Sequence, residues 1–357
     1  MKRAVVVAAV VVAFAGCLED RISPIETKPI STSAELLRYY EQSGDYFNSL
    51  ESPPFLDARD IHDDPDDYVV LDVRDEAAFA AGRIPGAVRV EPSELTTTLD
   101  TLDSFTKPVI VSATGHRAAY FATTLRLVGY RVFSLRFGMA SWHADFAAAR
   151  LDALGDDNPS QSFDNVAYPR HDYETPPSVA FPDPNAPIEE RAKARAQALL
   201  EEGFETDPND DRHTTTLDFA YDAYDYFTGE RTGPYVICYG SKALYHLMGK
   251  DTEPNPPSHP PGTAWYQDKP ASDFRSDRFL HALPADEPFL IYDVSGESAA
   301  ALAAYLRALG YDPRVVMFGA QSFLDAGIAP TFDGAFHEGI PQNYVYEFGE
   351  PVSATQE

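Results

Sequence analysis

Two stretches of this chain repeat one pattern, and that repeat constrains the fold more than any other feature. Val109 to Tyr130 reads VIVSATGHRAAYFATTLRLVGY, and Phe289 to Tyr311 reads FLIYDVSGESAAALAAYLRALGY. Each is an apolar run, a short loop containing glycine, and a helical segment stopped by a second glycine. Gly115–Tyr130 faces Gly296–Tyr311 without a gap, and FGMASW (Phe137–Trp142) answers FGAQSF (Phe318–Phe323) at the same offset. GRIPGAVRV at Gly82 matches SHPPGTAWY at Ser258, and YVVLDVRD at Tyr68 matches YVICYGSK at Tyr235, which places Cys238 opposite Leu71. Several matches in one order predict a tandem duplication.

Within the first copy, Tyr68–Asp75, Pro108–Ser112 and Arg131–Leu135 are β-branched runs of buried-strand type, and Ala118–Val128 is a helix stopped by Gly129. Strands alternating with helices predict an α/β fold, here two domains, each a parallel sheet with helices on both faces. The expected domains span residues 55–150 and 217–335. A Pro-, Asp- and Asn-rich linker covers 151–216, with a helix near 187–202 that buries Ala192, Ala196, Leu199 and Leu200. Residues 18–54 read as a tether followed by a helix, with Ser33 as the N-cap before Leu36, Leu37 and Tyr40. Residues 336–357 read as a C-terminal tail. The tyrosine–aspartate alternation in Phe219–Phe227 reads as an amphipathic element beside the second sheet.

The first copy resembles a rhodanese domain, of the thiosulfate sulfurtransferase family. The residues that carry the resemblance are Leu71-Asp72-Val73-Arg74, Phe79, Gly82, Ile84-Pro85-Gly86-Ala87, Gly115-His116-Arg117, Gly138 and Trp142. It covers roughly residues 55–148, and more weakly 217–328. The resemblance implies a catalytic cysteine three residues before the loop glycine, with inward N–H groups stabilising its thiolate and persulfide. That position is Ser112 in the first copy and Asp293 in the second. A serine hydroxyl carries no persulfide, and an aspartate puts negative charge where the family binds anions. Sulfur transfer by the family mechanism therefore fails in both copies, and no catalytic residue is assigned. The loop arginine persists as Arg117 but is Ser298 in the second copy, and the Asp72–Arg74 pair, read as structural support, becomes Tyr239 and Ser241. The loop Ser112, Ala113, Thr114, Gly115, His116 and Arg117 is a candidate holder of a small oxyanion.

Other nucleophiles are poorly placed. Cys238 falls inside a strand and reads as a buried structural thiol. His116, four residues after Ser112 in a tight loop, is badly positioned as its base. The histidines have no metal-ligand spacing, so no metal is expected, nor any other cofactor.

The formal charge of −28 argues against nucleic acid or an anionic membrane surface as a partner. Lys2 and Arg3, the apolar run Ala4–Ala15 and Gly16-Cys17 form a targeting signal over residues 1–17. Phe14-Ala15-Gly16-Cys17 resembles the bacterial lipoprotein lipobox, which implies lipid attachment at Cys17, a position outside the cytoplasm, and membrane contact only through that anchor. The expected function is a non-catalytic binding or scaffolding module for a protein or a small anion. The alternatives are a sulfurtransferase-like enzyme of unorthodox mechanism and a structural surface protein whose acidic coat matters most.

Overall fold

The computed structural model describes residues 32–154, 168–172, 174–206, 212–215, 224–225, 230–231, 234–246, 259–260, 262–269, 272–324 and 332–349. The signal, the tether, Cys17 and most of the Phe219–Phe227 run lie outside them. Runs such as Pro108–Val111 and Tyr235–Gly240 are buried at every position, as strands covered on both faces require. The first sheet contains β1 (Phe55–Leu56), β2 (Tyr68–Asp72), β3 (Val88–Arg89), β4 (Lys107–Val111) and β5 (Phe133–Leu135). Its order is β1-β5-β4-β2-β3, all parallel. After β6 (Thr214–Thr215), a separate antiparallel pair is formed by β7 (Tyr224–Asp225) and β8 (Glu230–Arg231). The second sheet joins β6 to β9 (Tyr235–Gly240), β10 (Thr263–Gln267), β11 (Phe289–Tyr292) and β12 (Pro313–Val316) in the order β10-β9-β11-β12-β6, again all parallel. Read from the β6 edge, it repeats the order of the first sheet. Since β6 begins at Thr214, the second sheet takes its first strand from what reads in sequence as linker.

Strand pairing also corrects the alignment of β9. Leu71 lies opposite Ile110, whereas Ile291, the repeat partner of Ile110, lies opposite Ile237. Ile237 therefore takes the place of Leu71, Cys238 that of Asp72, and Gly240 that of Arg74. The reason is strand periodicity: a slip of one residue exchanges the two faces. Leu71, Ile110, Ile237 and Ile291 share one apolar cluster, while Cys238 packs with Val236, Leu290 and Tyr292 on the opposite face.

The shared cluster is built around two helices, His116–Arg126 and Glu297–Ala308, whose mutual contact is the most extensive between any two elements. Ala118, Ala119 and Ala122 on one, and Ala299, Ala300, Ala303 and Ala304 on the other, are fully buried and let the backbones approach closely. The helix Ile188–Glu202 buries Ala192, Ala196, Leu199 and Leu200 against the same cluster.

Both ends of the described chain are structural. The first helix, Thr32–Gln42, begins before Ser33, which lies buried in its first turn rather than capping it. Leu36, Leu37 and Tyr40 enter the shared core, and Phe47 stacks on Tyr305 of the second half at 4.4 Å. The expected C-terminal tail instead straps the first half. Arg83 and Glu347 exchange backbone hydrogen bonds of 2.9 Å, Trp142 Nε1 donates to the Val345 carbonyl at 2.9 Å, and Phe336 packs on Phe137. Its alternating Tyr344 and Tyr346 lie against the apolar cluster around Trp142.

Phe47→Ala is expected to cost about 3–5 kcal/mol in urea denaturation, because it empties a buried aromatic site. Phe105→Ala, at a position 90% exposed, is expected to stay within about 0.5 kcal/mol of the parent.

Candidate functional site

The two glycine loops follow β4 and β11 and open the two central helices, so each sits at the carboxyl end of its sheet, where parallel α/β folds place ligands. Their first residues occupy the same geometric position. Ser112 is buried, and its Oγ accepts hydrogen bonds from the Gly115 N–H at 3.1 Å and the Ala118 N–H at 3.3 Å. In the second loop, Asp293 Oδ1 accepts from the Gly296 N–H at 2.6 Å, and Oδ2 from the Ser298 N–H at 3.1 Å. Inward N–H groups of this kind form an anion cradle. Here each cradle is satisfied by the side chain standing where the sequence pattern calls for cysteine.

A second pair of contacts locks the loops to one another. Glu297, the first residue of the second helix, reaches across so that its Oε1 accepts from the Phe137 N–H at 2.7 Å. His116, the equivalent residue of the first helix, reaches the other way, and its Nε2 accepts from the Phe318 N–H at 3.4 Å. Phe137 and Phe318 are themselves repeat partners, both in left-handed backbone at φ 61° and 60°. Close approach explains the loop glycines. A Cβ at Gly115 would lie 1.8 Å from Glu297 Oε1, and one at Gly296 would lie 2.4 Å from His116 Nε2. The pseudo-symmetric carboxylate and imidazole thus each occupy the space left by the glycine of the opposite loop.

The electrostatics of the lock differ on its two sides. Burial, assisted by the Arg150 charge, holds His116 well below the usual imidazole range, so the ring is neutral. With Nε2 accepting, the proton belongs on Nδ1, which lies 3.0 Å from Thr114 Oγ1. Burial pushes the Glu297 carboxyl up to about 7, against the opposing pull of Arg150. Arg150 is itself buried. Its Nη2 lies 3.0 Å from Glu297 Oε2, and its Nε donates to the Thr114 carbonyl at 3.0 Å. It also lies 4.8 Å from the centre of the Phe137 ring, and its Nη1 donates to the Ser295 carbonyl at 3.4 Å, so one guanidinium touches both loops.

The remaining residues of the first loop are accounted for differently from the sequence expectation. Thr114 serves Arg150 and His116, and the Ala113 carbonyl accepts from the Ala140 N–H at 3.2 Å. Arg117 does not lie over the loop. Its Nε donates to the Phe204 carbonyl at 2.8 Å and its Nη2 lies 3.5 Å from Glu205, beyond the Ile188–Glu202 helix. Arg117 is therefore turned away from Ser112, whose Oγ takes the Gly115 and Ala118 N–H groups of the loop. Asp72 and Arg74 form a buried bidentate pair, with Nη2–Oδ2 at 2.6 Å, and Arg74 also donates to the Gly82 carbonyl at 2.6 Å, fixing the turn into Ile84-Pro85-Gly86. Cys238 lies in the corresponding place of the second sheet, fully buried, with its thiol pushed well up by burial.

Residues 56–145 match the family model of the rhodanese-like domain. This segment is similar to rhodanese-like domains. It contains the whole Ser112 loop and the turn held by Asp72 and Arg74. Among solved structures, the chain is similar to a rhodanese-related protein from Thermoplasma volcanium, at 28% identity over 24% of this chain and 87% of that one, with a TM-score of 0.23. It is also similar to a rhodanese-like domain protein from Staphylococcus aureus, at 22% identity over 24% of this chain and 86% of that one, with a TM-score of 0.22. A Lactobacillus plantarum protein matches at 23% identity over 28% of this chain and 88% of that one, with a TM-score of 0.22. No curated protein matches the chain.

Two clefts border the interlocked loops. One, of about 310 Å3, lies at the ends of β2 and β3 and is lined by Arg74, Arg89, Arg117, Glu202 and Glu205. The other, of about 330 Å3, lies at the ends of β9, β10 and β11 and is lined by Ser241, Asp268, Lys269, Asp293 and Arg136. Sequence inspection missed Glu297, Arg150 and Arg136 as site residues. The one signal for Glu297 was its position directly after a loop glycine, equivalent to His116.

The raised carboxyl of Glu297 makes a specific pH dependence. It binds a proton more tightly in the folded than in the unfolded chain, so its contribution to stability is greatest below about pH 4.5 and is lost as pH rises through about 7. Glu297→Gln keeps an acceptor for the Phe137 N–H and removes the charge. Denaturation at pH 5 and pH 8 is expected to show this variant gaining on the parent by up to roughly 3 kcal/mol at the higher pH.

Proposed function

We propose that the chain is a tandem rhodanese-like protein that has given up sulfur transfer and acts as a binding or scaffolding module, held outside the cytoplasm by a lipid anchor on Cys17. The observation that carries this reading is the occupation of both loop cradles by Ser112 Oγ and the Asp293 carboxylate, the groups standing at the nucleophile positions. Sulfur transfer needs a thiolate that attacks a sulfane donor and then holds the persulfide in that cradle. A serine hydroxyl ionises far too weakly and an aspartate carries no sulfur. Cys238 offers no substitute, because it is buried in β9 and its thiol is held protonated. Glu297 and His116 add a steric argument, since each stands against the glycine of the opposite loop. The second half is read as a degenerate copy because its sheet order and loop geometry repeat those of residues 56–145.

A thiosulfate:cyanide assay on the purified protein is expected to give no turnover, and Cys238→Ala is expected to change nothing. Ser112→Cys is expected to stay inert and to resist thiol reagents until the protein is unfolded, because the position is 2% exposed. Turnover abolished by Ser112→Ala or Cys238→Ala would overturn the reading.

A further inference from the structure

We infer that the cleft at the carboxyl ends of β9, β10 and β11 takes a small zwitterion, its carboxylate held by Arg136 and Lys269 and its ammonium by Asp268 and Asp333. This deepens the reading of the chain as a binding module and rests on it.

Four of the charged side chains around one cleft form no ion pair among the described residues. Arg136 stands at the end of β5 with its guanidinium over the rings of Phe55 and Phe137, at 5.1 and 6.0 Å, and lines the cleft. Among the described residues it forms no ion pair, and its side chain donates no hydrogen bond. Lys269 lies over the Phe47 ring at 4.8 Å and donates to the Ser52 carbonyl, again without a carboxylate in ion-pair contact. Asp268 and Asp333 line the same cleft and form no ion pair among the described residues. Burial opposes two of these charges, pushing Lys269 down to about 7 and Asp268 up, and it outweighs their attraction for one another. Half-buried charges held outside ion pairs are partly desolvated, and a ligand that supplies both counter-charges offsets that cost at both signs.

Ligands of a single sign fit less well. An anion matched to Arg136 and Lys269 would meet Asp268 and Asp333, with the Asp293 carboxylate also lining the cleft. A simple cation would leave the guanidinium and the amine unmatched. The cleft volume of about 330 Å3 is at the low end for ligand pockets, which suits a molecule of amino-acid size. Ser241 and Ser298 add hydroxyls to the lining without adding charge.

The test uses the full folded chain and the twenty free L-amino acids, screened by thermal shift and quantified by calorimetry. The tightest binder is then compared with the carboxylic acid lacking its amine and the amine lacking its carboxylate. At least one amino acid is expected to saturate, and each truncated analogue to bind at least tenfold more weakly. Arg136→Met is expected to weaken the amino acid at least tenfold while leaving the amine analogue unchanged. Asp268→Asn is expected to do the same while leaving the acid analogue unchanged, with the more exposed Asp333→Asn as a second acidic variant should Asp268→Asn fail to fold. Binding by none of the twenty would overturn the inference, as would an acid analogue as tight as its parent, or affinities indifferent to these substitutions. The cyanide assay run on the same samples reports separately on the absence of sulfur transfer.

Discussion

Two backbone N–H groups, those of Phe137 and Phe318, receive side chains from the opposite half of the molecule, and much of the architecture depends on that exchange. Glu297 and His116 can make it only because Gly115 and Gly296 leave room for them. The two central helices must also lie close enough for their first residues to cross, which their alanine faces allow. Arg150 completes the lock by touching the Thr114 and Ser295 carbonyls and pairing with Glu297. A buried ion pair of this kind adds little net stability over an apolar pair, but it penalises any arrangement in which one member is left alone. Its role here is to specify how the two loops meet.

That arrangement supports the proposal that the two loops do not transfer sulfur. An anion cradle functions when its N–H groups converge on empty space reachable from solvent. In this protein each cradle is filled from within by Ser112 or Asp293 and covered from the other half by Glu297 or His116. One polar cleft is lined in part by the second loop itself, with Asp293 and Glu297, and takes further charges from Arg136 and Lys269, which belong to no loop motif.

Much of the local structure was legible in the amino-acid sequence. Strands β2, β4 and β5, both glycine loops and the Ile188–Glu202 helix follow from short-range periodicity and spacing, whereas Ser112 and Asp293 stand out only through the resemblance to the rhodanese family, and β1 and β6 are too short to read. The alignment of β9 failed because YVVL and YVIC look alike, while only pairing with Ile291 decides which face Cys238 takes. The C-terminal strap was missed because a short tyrosine alternation in a polar tail gives no hint of the Trp142 cluster it covers. Arg117 was misplaced because a motif fixes where a side chain starts, and its partners Phe204 and Glu205 lie far along the chain. The Glu297–Phe137 bond spans 160 positions, and no local pattern announces a contact of that range.

The most direct test of the interlock is native-state hydrogen exchange at the Phe137 and Phe318 amides. If both loops are plugged by the opposite half, the two amides exchange only through opening of the whole interface, at rates matching the slowest amides of the central helices and unaffected by added thiosulfate or sulfate. Rapid exchange at either amide, or protection that appears only when an anion is added, would show a cradle open to solvent and contradict the account.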